Sequence, residues 1–233
     1  MTITTVGLDA DDTLWHNETV FRLTQARLLD LLTDHDNAAI EARLAEIERR
    51  NLRLYGYGVK GFTLSMIETA MEMCGGDPPP GAIREILAAG REMLAHPVET
   101  LPGVDEALAR LSERYRLVLI TKGDLLDQER KLAASGLGDL FAAVEIVSEK
   151  DRSTYERVFA RHGTGPGGAV MAGNSMKSDV LPALEAGAFA VHIPYAITWA
   201  HELADAPEGH PRYGALERIL DLPDWIEGRV PQA

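Results

Sequence analysis

From residue 101 onward, short apolar runs alternate with amphipathic stretches, and that alternation restricts the chain to few architectures. The runs are 117–120, 143–147, 169–172 and 190–193. The segments 104–113, 125–135, 154–162, 178–186 and a last one near 216–220 read as helices by their apolar spacing. A strand followed by a crossover helix is the unit that builds parallel sheets. A further apolar run, 3–8, supplies a strand at the amino terminus.

Between that first strand and residue 95 the pattern is helical, with no convincing strand. Leu23, Ala26, Leu28, Leu31 and Leu32 form one stripe, and Ile40, Leu44, Ile47 and Leu54 form a second. Leu64, Ile67 and Met71, then Ile83, Ile86 and Leu87, mark two more helices, separated by the breaker 75–80, Gly-Gly-Asp-Pro-Pro-Pro. The sequence therefore predicts a doubly wound parallel α/β core of residues 1–14 and 98–233, with an inserted α-helical domain of residues 15–97. A chain of 233 residues suits a core with a smaller insert.

Open α/β sheets bind ligands beyond the carboxyl ends of their strands, so the residues standing there carry the chemistry. The first run ends in Asp9-Ala10-Asp11-Asp12-Thr13. Along an extended chain Asp9 and Asp11 point the same way, and crowded carboxylates repel unless a cation or a proton relieves them. An oxygen-binding dication such as Mg2+ is the simplest remedy. One carboxylate then attacks an electrophile while its neighbour carries a proton to or from the leaving group. The alternative is that Asp11, Asp12 and Thr13 only cap a following helix.

Three later strand ends add complementary groups. Thr121-Lys122-Gly123 follows run 117–120, Lys150 lies past 143–147, and Gly173-Asn174-Ser175 follows 169–172, with Asp179 five residues beyond Asn174. Thr121 and the amides of its turn can donate to phosphate oxygens, and Lys150 offers a fixed charge for a transferring phosphoryl group. Asn174 and Asp179 can give oxygen ligands, directly or through water, to the cation that Asp9 requires. Each alone has a plainer reading: a strand-end hydroxyl, a surface lysine, a turn residue, a first-turn helix acid. Together, on successive strands, they point to phosphoryl chemistry.

In this order the residues resemble the four motifs of the haloacid dehalogenase (HAD) superfamily of phosphotransferases: Asp9 to Thr13, Thr121, Lys150, and Gly173 to Asp179. The helical insert resembles that family's type 1 cap, and the resemblance covers nearly the whole chain. Carried over by position, it implies that Asp9 is the nucleophile that becomes an aspartyl phosphate and Asp11 the general acid and base. It implies that Thr121 and Lys150 hold the phosphoryl oxygens. Mg2+ would sit on the Asp9 carboxylate, the Asp11 backbone carbonyl and the fourth-motif acid or amide, Asn174 or Asp179. The dehalogenase branch usually has a non-acidic residue, often tyrosine, two places after the nucleophile. Asp11 thus favours phosphate ester chemistry, because an alkoxide leaving group needs a proton and a halide does not. Two positions depart from the phosphatase pattern: Asn174 stands where aspartate is usual, and Lys122 where asparagine is commoner. Lys122 is read either as a substrate contact or as cover for the sheet edge.

The implied reaction is hydrolysis of a small phosphorylated metabolite, with a cap that closes to exclude water. A phosphomutase of the same family is one alternative, and a scaffold that binds a phosphorylated ligand without turnover is another. A signalling receiver also combines clustered aspartates with a threonine and a lysine, but lacks a large helical insert. A formal charge of −13 argues against nucleic acid as partner. No apolar run is long enough to span a bilayer, and the amino terminus has no signal-peptide pattern, so a cytoplasmic monomer or homodimer is expected. The single cysteine, Cys74, makes no internal disulfide. The segment 43–60 is locally basic and reads either as an attractor of anions or as a solvated helix face. Tyr55, Tyr57 and Phe62, among glycines 56, 58 and 61, read as a loop between helices. His16 is expected to pack near the first motif or touch substrate, and a metal role for His192 and His201 lacks a third ligand.

Overall fold

The computed structural model describes residues 2–197, 199 and 202–229. Six strands form one sheet: β1 (Thr5–Leu8), β2 (Arg116–Lys122), β3 (Ala143–Val147), β4 (Ala169–Gly173), β5 (Phe189–His192) and β6 (Tyr213–Ala215). The spatial order is β3-β2-β1-β4-β5-β6, and every pairing is parallel. The helices are α1 (Glu18–Leu31), α2 (Asn37–Tyr55), α3 (Val59–Met73), α4 (Ala82–Ala95), α5 (Val104–Ser112), α6 (Leu125–Ser135), α7 (Arg152–His162), α8 (Leu181–Glu185) and α9 (Leu222–Glu227). The winding runs outward from β1 in one direction through β2 and β3, and in the other through β4, β5 and β6. The switch point therefore lies at the end of β1. Among the described residues no helix is long and apolar enough to cross a membrane.

The chain divides into two compact units, Met1–Glu18 with Val98–Lys122 and Gln128–Ala233, and Thr19–Pro97 with Gly123–Asp127. The first holds the sheet. Successive strand residues point to opposite faces, so one strand feeds two cores. Val6, Leu8, Leu117, Leu119, Val170 and Ala172 are buried together with Leu108 of α5 and Ile226 of α9. Val118, Ile120, Ala169 and Met171 join Tyr155, Val158 and Phe159 of α7 and Ala183 of α8 on the other face. Gly7 belongs to this second face, where a Cβ would stand 2.9 Å from Ile120 Cδ1 and 3.0 Å from the Phe159 ring. Its missing side chain lets α7 lie close on β1.

The second unit has its own core of Leu28, Leu32, Ile40, Leu44, Val59, Phe62, Met66, Ala70, Ile86 and Met93. Asp36 caps α2 by accepting from the Ala39 amide at 3.0 Å. The helices fall where periodicity put them, but their faces differ. Leu23 is 63% and Leu54 71% exposed, and Leu64, Met71 and Leu87 are also exposed. The buried face of α3 is instead rich in small and hydroxyl residues, with Gly61, Thr63, Ser65 and Thr69 beside Phe62 and Met66. Thr63, Ser65 and Thr69 each return a hydroxyl to the carbonyl four residues back, which hides their polarity. At Gly90 of α4 a Cβ would lie 2.4 Å from Thr63 Oγ1, so close packing of small residues outweighs the leucine count. The loop read across residues 55–62 shrinks to 56–58, because Gly61 and Phe62 belong to α3. A Cβ at Gly61 would stand 2.8 Å from the Gly56 carbonyl, and that approach permits the tight connection. Cys74 caps the end of α3, half-buried, with its Sγ 3.6 Å from His35 Nε2.

The basic segment is answered by acids of the same unit: Arg43 pairs with Glu46 and Glu72, Arg50 with Glu68 at 2.7 Å, and Lys60 with Asp124 at 2.9 Å. At the carboxyl end, the helix expected near 216–220 is replaced by β6, a short 3-10 turn (Ile219–Asp221) and α9. The three-residue β6 has no apolar run to announce it. It forms because Gly214 passes under the Trp225 indole, which a Cβ would meet at 2.5 Å.

Gly7→Val should destabilise the protein by about 1–3 kcal/mol through overpacking, and adding Phe159→Leu should recover part of that loss. Urea unfolding of the two single variants and the double variant measures this. Additive costs would remove Phe159 as the cause.

Candidate active site

Leu8 pairs in register with Leu119 of β2 and Ala172 of β4, so Asp9 emerges at the switch point, its amide donating to the Ala172 carbonyl at 3.0 Å. Alternation places its side chain on the face of Gly7, toward Lys150, which lies past the end of β3. The buried Lys150 ammonium hydrogen-bonds Asp9 Oδ1 and, at 2.7 Å, Asp179 Oδ1. Asp179 is fully buried, and its second oxygen accepts from the Ser175 amide at 2.9 Å. Its position depends on two local features. A π-type turn over Met176–Val180, in which the Ser175 carbonyl accepts from both Asp179 and Val180, swings the carboxylate back over β4. Gly173 leaves room for it, since a Cβ there would lie 2.2 Å from Asp179 Oδ2.

Two carboxylates and one ammonium in a buried cluster leave a net negative charge. Burial, with the Asp179 carboxylate nearby, pushes Asp9 up to about 7 against the pull of Lys150. Burial alone would lower Lys150, but the carboxylates of Asp179 and Asp9 raise it above its ordinary value.

Asp11 follows a different path from Asp9. After Ala10 the chain turns, with the Thr13 and Leu14 amides bonded to the Ala10 carbonyl and Asp12 in the left-handed region at φ 59°. The Asp12 carboxylate accepts from the amides of Asn17 and Glu18 at 2.9–3.1 Å, so Asp12 does cap α1. The common aim expected for Asp9 and Asp11 on an extended chain is therefore lost at this turn. The Asp11 carboxylate accepts from Trp15 Nε1 at 2.8 Å, Lys131 Nζ at 3.0 Å and Gln128 Nε2 at 2.8 Å. Gln128 and Lys131, one face of α6, are site residues that the sequence reading missed, because polar residues on a helix ordinarily read as a solvated face.

Asn174 closes the site opposite Lys150. Its backbone amide donates to Thr13 Oγ1 at 3.0 Å, and His192 Nε2 contacts its carbonyl at 3.0 Å. His201 lies outside the described residues. The inner atom of the Asn174 side-chain amide stands 3.1 Å from Asp9 Oδ2, 3.3 Å from the Asp11 carbonyl and 3.2 Å from Thr13 Oγ1. With Oδ1 inward, it accepts from Thr13 but faces the bare oxygens of Asp9 and the Asp11 carbonyl; with Nδ2 inward, the two amide protons have Asp9 Oδ2, the Asp11 carbonyl and Thr13 Oγ1 within reach as acceptors. Neighbouring oxygens around an octahedral Mg2+ stand about 3 Å apart, so these positions would fit an oxygen-binding dication with Oδ1 turned inward. Among the described residues no group of three or more His, Cys, Asp or Glu forms a metal site, so any ligand set depends on the amide and the backbone carbonyl.

Thr121, the penultimate residue of β2, is buried at the same sheet edge, its hydroxyl donating to the Lys122 carbonyl at 3.2 Å. Lys122 is held by the protein: its ammonium meets Glu202 Oε1 at 2.6 Å and Ser178 Oγ at 2.9 Å. Glu202, in the connection between β5 and β6, also accepts from the Ser175 and Ser178 hydroxyls. No periodicity marks Glu202 in the sequence. Near the first motif, His16 Nδ1 contacts the Tyr195 hydroxyl at 2.6 Å.

Burial would raise Glu202, but Lys122 and the two serine hydroxyls bring it from 4.5 down to about 2. Its folded value is depressed, so the stability it supplies is present above the ordinary glutamate range and lost as pH falls toward 2. That loss should be on the order of 3 kcal/mol. Melting temperatures across this acid limb should fall less steeply for Glu202→Gln than for the parent. Parallel curves would show that the pair contributes nothing.

The comparisons agree with this architecture. No curated protein matches the sequence significantly. Among solved structures, a haloacid dehalogenase-like family hydrolase from Xanthomonas campestris is 41% identical, with a TM-score of 0.87 over 97% of this chain and 91% of that one. The putative HAD-hydrolase YfnB from Bacillus subtilis, bound to magnesium, is 16% identical with a TM-score of 0.68 over 97% and 99% of the two chains. L-2-haloacid dehalogenase from Xanthobacter autotrophicus, with chloropropionic acid covalently bound, is 15% identical with a TM-score of 0.67 over 97% and 99%. The sequence pattern of the haloacid dehalogenase-like hydrolases matches residues 3–187, and the chain belongs to that family.

Proposed function

We propose that this hydrolase cleaves a small phosphomonoester with the help of Mg2+, through a phosphoaspartate on Asp9. The observation that carries the reading is the pair of oxygens, Asp9 Oδ2 and the Asp11 carbonyl, that converge on the Asn174 side-chain amide beside the buried ammonium of Lys150. A dication and an ammonium together match a dianionic phosphoryl group, which a haloacid's single carboxylate does not require. The Asp9 carboxylate, the Asp11 carbonyl and Asn174 would hold the metal, and bound there it would offset charge on the phosphoryl oxygens. Asp179, with both oxygens engaged by Lys150 and Ser175, would position the lysine rather than bind the metal directly.

In this reading Asp9 attacks phosphorus, the ester oxygen leaves, and Asp11, once its side chain turns from Trp15, Gln128 and Lys131 toward Asp9, gives that oxygen its proton; Asp11 then takes a proton from the water that releases phosphate. Thr121 with its turn amides, and Lys150, orient the phosphoryl oxygens. Lys122 is a weaker candidate for substrate contact, because Glu202 and Ser178 already engage its ammonium. The helical unit is read as the family's cap. Magnesium in the Bacillus subtilis relative supports the metal, while the Xanthobacter dehalogenase names the competing chemistry.

Release of phosphate from an aryl phosphate and a panel of phosphorylated metabolites should depend on Mg2+ and vanish in Asp9→Asn. Asp11→Asn should lower kcat by roughly 10²–10⁴-fold. Halide release from 2-haloacids without phosphate release would overturn the assignment. Isomerisation of a sugar monophosphate outpacing phosphate release, with a trace of bisphosphate present, would make the enzyme a mutase.

A further inference from the structure

We propose that Asn174 gives the site a cation-free state, in which its side-chain amide turns Nδ2 inward and points its protons into the space the metal would fill. The amide nitrogen then donates to the two oxygens that would hold Mg2+, Asp9 Oδ2 at 3.1 Å and the Asp11 carbonyl at 3.3 Å. The metal half of this inference rests on the Mg2+ reading above; the hydrogen-bonded half rests on geometry alone. An amide has a donor end and an acceptor end of nearly the same shape, so one rotation about the last side-chain bond exchanges them without moving the backbone.

The surroundings satisfy both ends of the amide with Nδ2 inward, whereas Oδ1 inward faces acceptors and leaves Nδ2 facing donors, a mismatch that a cation would have to offset. The Asn174 backbone is fixed by its amide bond to Thr13 Oγ1 at 3.0 Å and by His192 at its carbonyl. Thr13 can follow the rotation by turning its own hydroxyl proton. With Oδ1 inward, Thr13 donates to Asn174 at 3.2 Å; with Nδ2 inward and its two protons on Asp9 and the Asp11 carbonyl, Thr13 still accepts from the Asn174 backbone amide and its own proton is free to face Asp9 Oδ2, 3.5 Å away. An empty dication site normally leaves like charges and carbonyl oxygens facing one another in a poorly solvated space, which is costly. Here the amide converts those contacts into hydrogen bonds. An aspartate at position 174 has only acceptor atoms when ionised and adds a further charge, so it has no equivalent state. Internal amide and external cation therefore compete for one position, and part of the metal's binding energy is spent on displacing the amide.

The test follows the side-chain NH2 protons of Asn174 by NMR, assigned by their absence in Asn174→Asp, together with calorimetric Mg2+ titration of both proteins. In EDTA the parent's Asn174 NH2 protons should be slow to exchange, and saturating Mg2+ should release them to fast exchange. Asn174→Asp should bind Mg2+ about tenfold more tightly, because it gains a charged ligand and loses the competing bridge. Fast exchange in EDTA would overturn the inference, as would continued protection once Mg2+ is bound, or an absence of Mg2+ binding. These outcomes stand apart from phosphate release: a protein that turns over phosphoesters with Mg2+ but shows fast exchange in EDTA keeps its proposed function and loses the amide bridge.

Discussion

The site is organised around one buried ammonium shared between two carboxylates. Lys150 reaches Asp9 and Asp179 from beyond the end of a third strand, and the two buried carboxylates depend on its charge for compensation. A buried ion cluster is costly to desolvate, so its geometry must be built by the fold. The β1 register delivers Asp9, the π-type turn and the bare face of Gly173 deliver Asp179, and α7, capped by the Asp151 carboxylate accepting from the Thr154 amide at 2.7 Å, begins just after Lys150. Removing the ammonium would leave two carboxylates in repulsion, whereas removing one carboxylate still leaves a neutral pair. That asymmetry makes Lys150 the member on which the cluster depends.

Much of this was legible because a parallel sheet collects its strand ends. Once the apolar runs were taken as parallel strands, Asp9, Thr121, Lys150 and Asn174 had to gather at one edge, and the register confirms the shared edge for Asp9, Thr121 and Gly173. What could not be read were contacts made across elements without periodicity. Glu202 meets Lys122 from 80 residues away along an irregular connection, and its carboxylate changes the meaning of that lysine from a substrate contact to an internal ion pair. Gln128 and Lys131 were visible as polar residues on a helix, but only the turn after Ala10 aims Asp11 at them. Helix faces were misjudged where small residues replaced leucine as the packing surface, as at Thr63 against Gly90.

Asn174 and Lys150 divide the electrostatic work between a permanent charge and a replaceable one. Lys150 makes two charge-assisted hydrogen bonds, and both carboxylates favour its charged form. The opposite side of Asp9 has no fixed charge, only an amide that offers either an oxygen or a nitrogen. A carboxylate at position 174 would make the metal-free site more negative by one charge and oblige it to hold a cation or a proton. The amide relaxes that obligation. In the proposed metal reading, greater tolerance of the empty state and a weaker hold on the dication would both follow from an amide at this position.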